Sequence, residues 1–167
     1  MSVYDVDQLI AQARRLAAEY RRATGKPLGG VSVEISNADA ARLLDLELVN
    51  DPQVPYDAVG RGSREGRRIL IKGRAIFDQE KGGQRLGQIK LEQEWDSVLL
   101  VLMDENYEPF EIYEAEREEI EYAMNEGGKR NKRGAMSVAK FKIISQLVWS
   151  ADEGVIEDEI WDNQATP

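Results

Sequence analysis

The feature that most constrains the fold is an apolar run from Ser97 to Met103, which reads SVLLVLM. Seven residues are far short of the roughly 20 that span a bilayer as a helix, and they match the usual length of a strand. Side chains alternate between the two faces of a sheet, so a strand that is apolar at successive positions is buried on both faces. The run therefore predicts the central strand of a sheet that is covered on both sides.

Segments on either side of this run supply the other elements. Helical spacing of apolar residues predicts an amphipathic helix over residues 5–24. Alternating or β-branched stretches predict short strands over 46–49, 55–59, 67–72 and 110–113, the last being the antiparallel partner of the central strand. Two further helices are expected, an acidic one over 114–125 and one over 137–149.

One boundary has two interpretations. Residues 31–35 alternate like a strand, whereas the alanines and leucines over 38–44 favour a helix, which Ser32, Ser36 or Asn37 would cap. With either outcome the order of elements predicts an α/β fold with a central mixed sheet flanked by helices.

The 167 residues predict a single α/β domain over 1–150, followed by an acidic tail over 151–167. Within the domain we expect an N-terminal helix region (1–30), a core (31–113) and C-terminal helices joined by a basic loop (114–150). The chain has no long apolar segment and no signal-peptide order at its start, so we expect a soluble, cytoplasmic protein without a membrane partner. A protein partner or a homo-oligomer stays open.

The absence of Cys and His limits the chemistry. It excludes disulfides, Cys/His zinc sites, thiolate nucleophiles and Ser-His-Asp triads. A metal site would need oxygen ligands, which suit Mg, Mn or Ca rather than Zn. No nucleotide cofactor is indicated.

The net charge is −9, yet residues 127–150 carry six basic side chains and no acidic one. Two interpretations of this block remain open. In the first, the cations contact phosphates of nucleic acid together with backbone amides at the start of the following helix. Alternatively, they form a solvated loop that the acidic segment before it neutralises. The predicted nucleic-acid-binding residues are Lys129, Arg130, Lys132, Arg133, Lys140 and Lys142.

Asp57 and Lys72 fall near the ends of two consecutive predicted strands. If these strands are adjacent, a carboxylate that binds a hard cation and an ammonium that stabilises developing negative charge share one end of the sheet. The competing interpretation is a surface ion pair or two unrelated polar residues at strand ends.

The segment Tyr56-Asp57-Ala58-Val59 and the later segment Ile69-Leu70-Ile71-Lys72-Gly73-Arg74 resemble the hairpin of the PD-(D/E)XK nuclease superfamily. The resemblance covers about residues 31–113 and is to an uncharacterised bacterial branch. It implies a restriction-endonuclease-like core, with Asp57 as a metal ligand and Lys72 activating the attacking water. It also implies Glu34 as an auxiliary metal ligand and catalytic residue, and Mg or Mn as the cofactor.

Leu70 departs from the pattern, because it stands where the superfamily has a second metal-binding Glu, Asp or Gln. A Leu cannot ligate Mg, so a carboxylate such as Glu34, Asp78, Glu92 or Glu94 would have to replace it, or metal binding would be weak. The resemblance therefore implies a nucleic-acid-acting protein similar to a metal-dependent phosphodiester hydrolase. The alternatives are a noncatalytic nucleic-acid-binding module and a protein-interaction module on the same fold.

Overall fold

A computed structural model describes residues 3–77, 84–126 and 136–156. Four α-helices lie within these residues: α1 (Val3–Thr24), α2 (Val31–Leu44), α3 (Arg117–Glu126) and α4 (Val138–Ile144). A 3₁₀ turn spans Gly62–Arg64. Among the described residues no helix is long and apolar enough to cross a bilayer.

Seven strands form one mixed sheet in sequence order: β1 (Leu46–Leu48), β2 (Ala58–Gly60), β3 (Arg68–Ala75), β4 (Ser97–Met103), β5 (Pro109–Glu116), β6 (Gln146–Ser150) and β7 (Gly154–Val155). Strands β3 and β4 pair in parallel, and every other neighbouring pair is antiparallel. The predicted α/β class is confirmed.

The central strand is β4, and all seven of its residues are buried. Alternation along β4 divides the core in two. Leu99, Val101 and Met103 join one apolar cluster, which α1 and α2 cover. Val98, Leu100 and Leu102 join a second cluster, covered by residues 86–95, α3 and α4. The sheet is therefore the middle of three layers, and the prediction from the SVLLVLM run is confirmed.

Residues 31–35 belong to a helix and not to a strand. Helix α2 begins at Val31 after Gly30, whose φ of 87° lies in the left-handed region that glycine adopts at little cost. No side chain caps this end, so Ser32, Ser36 and Asn37 lie inside the helix and the predicted cap is wrong. The buried face of α2 explains the result, because Ile35, Ser36, Asp39, Ala40 and Leu44 follow helical spacing.

Two predicted helices in the C-terminal part were too long. Residues 114–116 complete β5 and pair with β4, so the acidic helix begins only at Arg117. The helix expected over 137–149 ends at Ile144, because Ser145 is extended (φ −112°, ψ 179°) and β6 follows. Leu147 and Val148 satisfy the spacing of a helix as well as that of a strand. Pairing with β5 selects the strand.

The predicted acidic tail begins with ordered structure, because β7 pairs with β6 at the edge of the sheet. Its remaining residues, 157–167, lie outside the described part of the chain, as do Asp78 and residues 127–135.

Candidate functional site

The predicted adjacency of the Asp57 and Lys72 strands is confirmed, since β2 and β3 are antiparallel neighbours. Asp57 lies one residue before β2 rather than at the end of a strand. Its backbone N–H donates to the carbonyl of Ile69 (2.9 Å), and its Oδ2 accepts the backbone N–H of Ile71 (2.8 Å). The carboxylate thus satisfies a β3 donor at the point where the β2 ladder stops.

Lys72 is half-buried on the face of β3 that meets the second apolar cluster. In the parallel register it lies beside Leu100, which is fully buried. Its Nζ donates to the carbonyl of Gln88 (3.2 Å). Burial lowers the pKa of Lys72; the negative charge of Asp57 acts in the opposite direction, and Arg74 lowers it further.

The space beside these two residues is apolar. Leu70 and Tyr56 both pack against the second cluster. Leu70 neighbours Val98 of β4, which is fully buried. At the position where the nuclease pattern needs a carboxylate, the structure therefore has hydrocarbon packing.

Glu34 belongs to the other layer. It is exposed in the first turn of α2. Helix α2 covers the opposite face of β3, where the side chain of Ser36 lies against Gly73. Across the described ranges, no three acidic side chains are grouped so that they could hold a metal ion. The assignments of Asp57, Lys72 and Glu34 as catalytic residues, and of Asp57 and Glu34 as metal ligands, stay predictions.

A cation that the sequence analysis did not select, Arg74, lies two residues beyond Lys72 on the same face of β3. Its Nε donates to the carbonyl of Arg85 (2.8 Å) and its Nη1 to the carbonyl of Gly73 (2.6 Å). Burial lowers the pKa of Arg74. The period of two along β3 places Lys72 and Arg74 on one face, and this spacing is visible in the sequence.

The other arginines of this hairpin contact carboxylates. Arg64 pairs with Glu114 (3.0 Å), Arg67 with Glu116, and Arg68 with Asp96 (3.1 Å). Lys72 and Arg74 make no ion pair within 4 Å to any described carboxylate. The half of β3 that carries them is therefore more electropositive than the half before it.

The predicted basic block is only partly described. Lys129, Arg130, Lys132 and Arg133 lie outside the described residues. Lys140 is half-buried in α4, and its backbone N–H is capped by the hydroxyl of Ser137 (3.1 Å). Lys142 is more exposed and lies 3.9 Å from Glu111. The structure thus gives Lys142 an acidic neighbour, and nucleic-acid contact by this block stays a prediction.

The fold and the site together define an α/β protein with two half-buried cations on a central-sheet strand. Comparison with protein-family models and with curated protein sequences finds no match for the chain.

Proposed function

We propose that this chain binds nucleic acid through the cations of β3 and does not hydrolyse it. The observation that supports this proposal is the contrast between the two halves of the candidate site. Leu70 and Tyr56 are packed into an apolar cluster where a metal-binding carboxylate would be needed. Lys72 and Arg74, directly beyond them, have no carboxylate within 4 Å among the described residues.

A polyanion is the natural partner of such cations despite the net charge of −9. Binding of nucleic acid depends on local contacts with phosphates and on the counterions that those contacts release. Carboxylates already pair with the arginines at the start of the hairpin, so their negative charge is partly neutralised. Lys72 and Arg74 can therefore offer positive charge to a phosphate although the chain as a whole is acidic.

The test is a fluorescence-anisotropy titration of labelled single-stranded and duplex oligonucleotides over a range of salt concentrations. Each phosphate contact contributes about 0.7 to the log-log salt slope on a single strand and about 0.9 on a duplex. The double variant Lys72→Ala/Arg74→Ala should bind more weakly, with a slope smaller by about 1.4 or about 1.8, respectively.

The matched control is Arg15→Ala/Lys26→Ala, which removes two exposed charges from α1 and the turn after it. We expect this control to bind like the wild type. An equal loss of oligonucleotide affinity in both double variants would show a general effect of charge and contradict the proposal. The same titration with Lys129, Arg130, Lys132 and Arg133 changed to Ala measures what the basic loop contributes.

Catalysis is tested separately with Asp57→Asn, which keeps an oxygen to accept the N–H of Ile71. We expect no cleavage of the oligonucleotides with Mg or Mn, and equal Mn binding heats for the wild type and the variant. Mn-dependent cleavage that disappears in Asp57→Asn would contradict the noncatalytic proposal and favour the hydrolase.

A further inference from the structure

We propose that Lys72, Arg74 and Gly87 form a seat for one phosphate group, referred to below as the phosphate seat. This inference rests on the proposed function and deepens it, because it names the atoms that would receive a phosphate. The phosphate can belong to a nucleic-acid backbone or be free in solution, and the experiment below uses both sources.

The head groups of the two cations both lie beside Gly87. A methyl group built on Gly87 would lie 3.6 Å from Nζ of Lys72 and 3.7 Å from Nη2 of Arg74. Since glycine has no side chain, an anion can approach its Cα more closely than it could approach any other residue. A phosphate packed against the Cα of Gly87 on this side would face an ammonium and a guanidinium together, the two groups that recognise phosphate best.

Within the described ranges, the contacts of the two donors hold them in place and leave N–H groups for a ligand. Two backbone carbonyls, of Arg85 and Gly73, fix the guanidinium of Arg74 through Nε and Nη1, which leaves Nη2 beside Gly87. Lys72 uses one of its three N–H groups for the carbonyl of Gln88. A site with fixed donors spends less conformational entropy on binding than one made of free surface chains.

Electrostatics favour an anion at this point. Lys72 and Arg74 are both cations, so neither reduces the free-energy cost of burying the charge of the other. Arg74 instead lowers the pKa of Lys72. Asp57 offsets part of the charge, but its Oδ2 is bound to the N–H of Ile71 and makes no ion pair with Lys72 within 4 Å. A bound phosphate would relieve the remaining repulsion between the two cations.

Gly87 provides a selective variant. Its φ is not in the left-handed region, so Gly87→Ala keeps the backbone conformation and introduces no strain. The added methyl would make ordinary van der Waals contact with both cations and would block the approach of a phosphate to the Cα of Gly87. The control is Gly29→Ala, where an added methyl would have no neighbour within 4 Å.

The experiment titrates inorganic phosphate into ¹⁵N-labelled wild type, Gly87→Ala, Gly29→Ala and Lys72→Met/Arg74→Met, following amide shifts by NMR. We expect saturable shifts at Gly87 and Gln88 in the wild type and Gly29→Ala. The dissociation constant should rise at least tenfold in the other two variants. Spectra that retain the wild-type dispersion confirm that each variant is folded.

A second arm adds the labelled oligonucleotide to the same proteins, so that the two proposals can fail separately. Phosphate binding that depends on Gly87, without oligonucleotide binding, supports the seat and contradicts the proposed function. Oligonucleotide binding that survives Gly87→Ala unchanged, with no phosphate shifts in the wild type, overturns the seat and leaves the proposed function standing.

Discussion

The strongest stability prediction concerns Asp39, a carboxylate that is 1% exposed in α2. Its two oxygens accept from Nη2 (2.7 Å) and Nη1 (3.0 Å) of Arg14 in α1. Nη1 of Arg14 also donates to the carbonyl of Tyr107 (2.6 Å) in the β4–β5 turn. Asp39→Ala would therefore remove the charge that holds α1 and α2 together above the sheet.

The magnitude follows from the burial of the two partners. Removing one member of a buried pair costs about 3–5 kcal/mol, because the other charge stays desolvated. The Arg14 side chain is 13% exposed and keeps its bond to Tyr107, so we expect the lower end, about 3 kcal/mol. Arg42, which also contacts Asp39 (3.2 Å), is 59% exposed, so Arg42→Ala should cost under about 1 kcal/mol.

Urea unfolding followed by circular dichroism measures both effects. With an m-value of about 2 kcal/mol/M, Asp39→Ala should lower the midpoint by about 1.5 M and Arg42→Ala by less than about 0.5 M. Arg14→Met/Asp39→Leu should recover much of the loss, because apolar residues of similar size often replace a buried pair without cost. If the free energy of unfolding of Asp39→Ala lies within about 1 kcal/mol of the wild-type value, this account of the pair is refuted.

Two further predictions concern β3. Lys72→Met should raise the free energy of unfolding at neutral pH, because the fold lowers the pKa of Lys72 and so disfavours its charged form. The gain should shrink as the pH rises through the lowered pKa and vanish above the ordinary lysine value; a pH-independent difference in urea unfolding would contradict it. Gly73→Ala should cost about 1–3 kcal/mol, because the new methyl would lie 2.4 Å from Cβ of Ser36 and push α2 off the sheet. Thermal unfolding beside Gly29→Ala checks this, and equal melting temperatures would show that α2 adjusts freely.

The sequence was sufficient to predict the middle of the fold because β4 is apolar at successive positions, which requires burial on both faces. The SVLLVLM run admits a central strand and little else, and its antiparallel partner follows after a short turn. The C-terminal part was less predictable. Val148 belongs to the first apolar cluster and Phe141 to the second, yet both satisfy one helical stripe. The extended backbone of Ser145, which separates them, depends on pairing with β5.

Only part of the candidate site could be predicted. The segments around Asp57 and Lys72 resemble a hairpin, which implied that their strands are neighbours, as β2 and β3 are. The sequence does not reveal that the Asp57 carboxylate serves the N–H of Ile71, since that bond depends on where the β2 ladder ends. Gly87 carries no sequence pattern at all. The role that we propose for it depends on a chain segment, residues 85–88, that passes over the face of β3 carrying Lys72 and Arg74.

Net charge does not indicate which cations of an acidic protein are paired, and the ion pairs along β3 show this. Three carboxylates from two other segments converge on the start of the hairpin: Glu114 and Glu116 from β5, and Asp96 just before β4. They pair with Arg64, Arg67 and Arg68, whose positive charge is then unavailable to a ligand. The end of the same strand has no such partners among the described residues, because β4 beside it presents only Leu100 and Leu102 on that face. Within the described part of β3, the cations that lack a carboxylate partner therefore lie where the neighbouring strand is apolar.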